Sequence, residues 1–274
     1  MTFEAAPLSP LSDFRSLLHK ASPSPQEIQT RARTIYHEML AESTYIRAGN
    51  FTSIETADLR RMFEKYDRKF FEGRCQTLTS EHNTLRFRLS NRMTSAAGKT
   101  YQRRCRNGQS RAAHYEIAIS TALLFETFNE ELRPITVSGV SCVDRLEALQ
   151  RIFEHELLHL VEMLIWDHSS CSADRFRSMA HRLFGHSQST HQLITPREIA
   201  HTKYGILPGQ RVKFHFEGKR YVGVVNRVTK RATVLVPHPQ GEPYSDGKRY
   251  LKFYIPLPML TPVGADEIAG ERGA

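Results

Sequence analysis

Apolar residues fall at helical spacing over some stretches of this chain and alternate with polar ones over others. From Pro25 to about Arg47, the positions Ile28, Ile35, Met39 and Leu40 predict a helix, with Ser24 as its cap. A stronger stripe follows from Glu55 to Phe71, through Leu59, Met62, Phe63, Tyr66, Phe70 and Phe71, with Gly73 placed to end it. Leu85, Phe87 and Leu89 then alternate with Arg86 and Arg88, which predicts a half-buried strand. Ala96 to Gln102 reads as the next strand, and the arginine-rich stretch from Arg103 to Arg111 around Asn107-Gly108 as a hairpin turn. Tyr115, Ile117 and Ile119 make a third strand, after which Ser120 caps a short helix through Leu123 and Phe125. Pro134 to Cys142 reads as a linker or active-site loop. Asp144 opens a long helix to about Trp166, broken at Asp167 to Cys171. Ser172 or its neighbour caps one more helix, with Phe176, Met179, Ala180, Leu183 and Phe184 on one face and Gly185 as its stop.

From Tyr204 the texture changes to short apolar runs separated by turns: 212–216, 221–225, 232–236 and 250–254. Short strands at this spacing over about sixty residues predict a small β-barrel of SH3 type. The expected organisation is a Ser-, Pro- and Ala-rich, poorly ordered lead-in over 1–24 and a first domain over 25–200 of helices and a small antiparallel sheet. An all-β barrel over 201–264 and a tail over 265–274 complete it. The fold class is therefore α+β.

Charge sharpens this picture. The net charge is +9 over 274 residues, and between 203 and 264 eleven basic residues face three acidic ones, Glu217, Glu242 and Asp246. Lys213, Lys219, Arg220, Arg227, Lys230 and Arg231, interleaved with Tyr221, Tyr250, Phe253 and Tyr254, are candidates for tracking a phosphate backbone and stacking bases. A solvated charged face over an aromatic core is the plainer reading of the same residues. Hydrophobic content of 40% and charged content of 24% are ordinary for a globular chain. No run of eighteen apolar residues occurs, and Met1 to Ser12 lacks the pattern of a secretory signal. The cysteines Cys75, Cys105, Cys142 and Cys171 are widely spaced and form no C-x-x-C pair, so reduced thiols and a cytoplasmic location are expected.

The candidate chemistry lies in the long helix. Phe153-Glu154-His155-Glu156-Leu157-Leu158-His159 contains H-E-x-x-H. Residues four apart share a helix face, so His155 and His159 can offer two imidazoles to one metal ion. Glu156, one step round, stands where it can take a proton from water. Zinc acidifying water beside a glutamate general base is the chemistry this pattern serves. Glu162 shares the face, but seven residues on lies about 10 Å further along the axis, too far to complete the same site.

Four segments give the first domain a resemblance to the SprT-like zinc metalloprotease family, which has a zincin-like fold. Leu59 through Phe71-Glu72-Gly73 resembles its opening helix, and Ser90-Asn91-Arg92-Met93 through Ala97-Gly98 is similar to its strand pair around an Ala-Gly. Ile117-Ala118-Ile119-Ser120 with Leu123-Leu124 resembles its third conserved segment, and the H-E-x-x-H helix follows in order. The resemblance covers about residues 55 to 192 and extends to Thr190-His191-Gln192. It implies a zinc-dependent endopeptidase acting on proteins bound to or crosslinked on DNA. In one respect the chain departs from the family, whose third zinc ligand is a histidine opening the next helix. Aligning Phe176 on the family's aromatic puts Ser172 there. Cys171, His168, His186 and His191 are the candidate replacements, with Cys171 the best thiolate ligand.

Two functions follow. One is a zinc endopeptidase using Glu156, with zinc on His155, His159 and Cys171, a protein substrate, and DNA or another nucleic acid as partner. The other is a non-catalytic scaffold with a degenerate zinc site that binds nucleic acid or protein through its basic module. A small-molecule zinc hydrolase is a weaker third.

Overall fold

Where the composition of the first 24 residues predicts little order, the chain forms a helix. In the computed structural model, which describes residues 9–80, 83–104, 112–128 and 133–263, α1 spans Pro10–Lys20, with Ser9 accepting from the Ser12 amide and a proline in the first turn. Phe14 and Leu18, four apart, are buried, and the Phe14 ring meets Phe71 edge-on at 5.8 Å. Two apolar residues on one face suffice to dock a short helix that its Ser and Pro content disguises. The chain divides into two units, Met1–Leu193 and Ile194–Ala274.

In the first unit, α2 (Pro25–Glu42) starts on a capping box, Ser24 and Glu27 each satisfying the other's backbone N–H. Helix α3 (Thr56–Phe71) buries its whole apolar stripe and ends with Glu72 in the left-handed region at φ 53°, Gly73 following at φ 77°. A further helix, α4 (Arg74–Ser80), comes directly after. Its first amides donate to the buried Asp67 carboxylate, Cys75 N–H and Gln76 N–H both at 2.9 Å.

Strands β1 (Thr84–Ser90), β2 (Gly98–Arg104) and β3 (Ala113–Ser120) form a sheet in the order β1-β3-β2. The small sheet is mixed, not antiparallel as the sequence suggests. β2 and β3 pair antiparallel, and β3 returns into the centre parallel to β1. Two reversals of direction leave β3 running with β1, and β2 lies at an edge. Arg103 and Arg104 belong to β2, while the rest of the expected hairpin turn, residues 105–111, lies outside the described residues.

Ser120 caps α5 (Thr121–Thr127) by accepting from the Leu123 amide. The stretch expected as a loop is a hairpin, β4 (Ile135–Val137) and β5 (Val140–Cys142), turned by Ser138 and Gly139 at positive φ. Helix α6 (Arg145–Trp166) is capped by Asp144. It is the buried spine of the unit, flanked by the sheet, α2, α5 and α7 (Asp174–Phe184). Arg145 is buried because its guanidinium donates to the carbonyls of Phe51, Leu124 and Phe125, which end neighbouring segments. Asp167, at φ 61°, ends α6, and Gly185, at φ 69°, ends α7.

The second unit opens with α8 (Pro196–Tyr204), whose Ala200 packs into that unit's core. It continues with β6 (Arg211–Phe216), β7 (Lys219–Val228), β8 (Ala232–Pro243), β9 (Arg249–Ile255) and β10 (Thr261–Pro262). The sheet is antiparallel, in the order β10-β6-β7-β8-β9, and does not close into the expected barrel. Closure needs the outermost strands to pair, and β10 offers two residues, already paired with β6. Val212, Phe214, Val225, Val234 and Ile255 fill the core on one face, with Tyr221 and Phe253 against it.

Candidate metal centre

One turn of α6 puts His155 and His159 on the same side. Their Nε2 atoms are 3.2 Å apart. Two nitrogens at about 2.0–2.1 Å from one tetrahedral ion sit about 3.3 Å apart, so the spacing suits zinc. The loop after α6 brings in Cys171, and a nitrogen of each histidine and the Cys171 sulfur all lie within 4.8 Å of one another. Two imidazoles and a thiol are a fitting donor set for zinc. Phe176, buried on α7, packs its ring on both imidazoles, at 4.9 Å from His155 and 4.6 Å from His159, and so limits their rotation.

A hydrogen-bonded chain behind His159 sets its tautomer. The Ser169 hydroxyl donates to Glu162 Oε2 at 2.6 Å. Its proton is thus committed, and His159 Nδ1–H must donate to Ser169 Oγ at 2.6 Å. Nε2 is left with its lone pair toward the centre. The other Glu162 oxygen accepts from Arg175 Nε at 2.6 Å, and the Arg175 guanidinium stacks over Trp166 at 4.3 Å. Burial pushes His155 down to about 3, helped by the neighbouring histidines, and His159 down to about 4 against the opposing pull of Glu162. Both rings are therefore neutral near pH 7, the form that ligates metal.

Glu156 lies under the edge strand. Thr100 Oγ1 is 2.7 Å from its Oε2 and 2.9 Å from its backbone carbonyl. Burial raises its carboxyl to about 7, with the Thr100 hydrogen bonds working in the other direction. Gly98 makes room for it, since a Cβ there would stand 2.5 Å from Glu156 Cγ. β2 thus touches the glutamate at two residues and pairs with no strand other than β3 among the described residues.

The remaining candidates for a third ligand stand outside this group. His168 is exposed, and its carbonyl accepts from Arg175. His186 is buried against Glu154, Nε2 to Oε2 at 2.8 Å. His191 Nε2 accepts from the Ala97 amide at 3.2 Å. Glu154 faces away from the centre and gathers Tyr66 OH, Arg151 and His186 in the core. Ser169, Thr100 and Arg175 are the participants that motif reading misses, because their places depend on how a loop and a sheet edge fold back on α6. Ser172, where the resemblance would put a histidine, hydrogen-bonds Ser170.

In the second unit, strand register puts Lys213, opposite Val222, on the same face as His215 and Arg220, which pair with each other. Arg227 follows beyond a bulge, opposite Thr233, itself opposite Tyr254. Lys219 pairs with Phe216 on the other face, and Lys230 and Arg231 stand in or beside the β7–β8 turn. Lys219, Arg220, Arg227, Lys230 and Arg231 are exposed, Lys213 is half-buried, and Tyr254 is 61% exposed.

No helix among the described residues is long and apolar enough to cross a membrane. Cys75, Cys142 and Cys171 are free thiols. Comparison of the chain with protein-family models, with curated proteins and with solved structures found no match.

Proposed function

We propose that the first unit is a zinc-dependent endopeptidase of the SprT-like, zincin-fold kind. The convergence of His155, His159 and Cys171, with the buried Glu156 next to His155 in the chain, is the observation that carries this reading. Zinc held there supplies Lewis acidity, acidifying water and polarising a peptide carbonyl. Glu156 takes the proton from the attacking water and passes it to the leaving amine nitrogen. A carboxyl held near neutrality by burial suits a group that must accept and then return a proton. Ser169 and Glu162 hold His159 in its ligating tautomer. An extended peptide adds along the edge of β2, whose Gly98 lets the strand pack closely on Glu156.

The basic second unit recruits this activity to proteins associated with DNA or another nucleic acid. Its charge and its exposed Arg220, Arg227 and Tyr254 support that role. The test of the chemistry is Glu156→Gln in the whole chain. It is expected to keep zinc at the wild-type level and to lose cleavage of a protein substrate by at least about a hundredfold, the usual scale for an essential general base. Cleavage equal to wild type would remove Glu156 from the reaction and leave the scaffold reading standing.

A further inference from the structure

A cavity of 960 Å³ opens in the first unit between α2, α6, α7 and the β4–β5 hairpin. None of its lining residues belongs to the metal centre. Its size is at the upper end of ordinary small-molecule sites, roughly 300–1,000 Å³. Arg33 and His37 reach it from α2, Arg151 from α6, and His181 and Arg182 from α7. Only Asp144 and Glu147 oppose them there, and both carboxylates are engaged. Asp144 accepts from the Glu147 amide at 2.9 Å and from Tyr36 OH at 2.6 Å, and Glu147 accepts from the Val143 amide at 2.9 Å. Arg151 is held by Glu154 at 2.8 Å.

Arg33, His181 and Arg182 pair with no carboxylate among the described residues. Arg182 donates once, from its Nη1 to the His19 carbonyl at 3.3 Å, and its Nε is buried with no partner. The same cavity has an apolar wall that includes Ile28 and Phe184. Two arginines without a carboxylate partner, two nearby imidazoles and an apolar wall describe a receptor for an organic anion.

We propose that this cavity binds a phosphomonoester, its phosphate on Arg182 and Arg33 and its apolar body against Ile28 and Phe184. Guanidinium forks match phosphate oxygens in pairs, and two arginines with nearby imidazoles suit a dianion better than a single carboxylate charge. The site is independent of the metal centre and of the peptidase reading.

Thermal unfolding and titration calorimetry of the whole chain test it, with phenyl phosphate as probe and inorganic phosphate and benzoate as controls. Phenyl phosphate is expected to bind one per chain and raise Tm, more than inorganic phosphate does, with no shift from benzoate. The double variant R33Q/R182Q is expected to weaken phenyl phosphate at least tenfold. Should loss of Arg182 impair folding, the single variant R33Q, on the exposed side of α2, is expected to weaken it severalfold. Equal binding in zinc-loaded and zinc-stripped chains would support a site separate from the metal. No binding to wild type, unchanged binding in the folded variants, or an equal shift from benzoate would overturn the proposal. Tighter binding of inorganic phosphate would overturn the organic body.

Discussion

Ser169 decides how His159 meets a metal. Its hydroxyl relays between the imidazole and Glu162, so the ring is oriented by a carboxylate it never touches. Removing the relay in Ser169→Ala leaves His159 free to choose its tautomer and Glu162 Oε2 without its donor. Zinc affinity is expected to fall about 10–100-fold, the usual cost of losing such an outer partner. Competition with a chromophoric chelator measures it, and wild-type affinity in that variant would mean that the relay is idle. At this scale the sequence was partly legible. His155, Glu156 and His159 follow from helix periodicity alone. The spacing of Glu162 sets it apart from the two histidines but says nothing of its hydrogen bond to Ser169, because that needs Ser169 folded back over the helix. Cys171 was preferred among four candidates for its thiolate, and the path of the loop brings it, rather than His168 three residues away, to the two histidines.

Among elements, α6 carries both the candidate chemistry and the core. Its start rests on Asp144, which caps the Glu147 amide and takes the hydroxyl of Tyr36 from α2. Asp144→Ala is expected to cost about 1–2 kcal/mol, the price of a cap plus a stranded hydroxyl. Denaturant unfolding measures it, and a loss below a few tenths of a kcal/mol would show that the cap is redundant. Helices with strong stripes and clear caps, α2, α3, α6 and α7, were legible near their true ends. Helix α1 was not, because Ser and Pro mask the pair Phe14 and Leu18. Strands β1 and β3 were legible as strands, but their parallel pairing was not, since alternation fixes which face is buried and leaves the partner open. The same limit explains the sheet of the second unit. Its strands are where the apolar runs put them, yet whether the outer strands meet depends on the length of β10.

The whole molecule joins a candidate metal unit to a strongly basic one. If the second unit recruits nucleic acid, binding of an oligonucleotide to the intact chain should weaken steeply with salt, as phosphate contacts do. Arg220→Glu with Arg227→Glu is expected to lower affinity at least about tenfold at fixed salt, read by fluorescence anisotropy. Absence of binding even at low salt would remove the nucleic-acid role and leave the metal centre untouched. The measurement that bears most directly on that centre is zinc content by elemental analysis of the wild-type chain, His159→Ala, Cys171→Ser and His168→Ala. About one zinc per chain is expected in wild type and His168→Ala, with loss in His159→Ala and Cys171→Ser. A wild-type chain that holds no zinc and cannot be reloaded, or a Cys171→Ser chain that keeps it fully, would contradict the His155, His159 and Cys171 site.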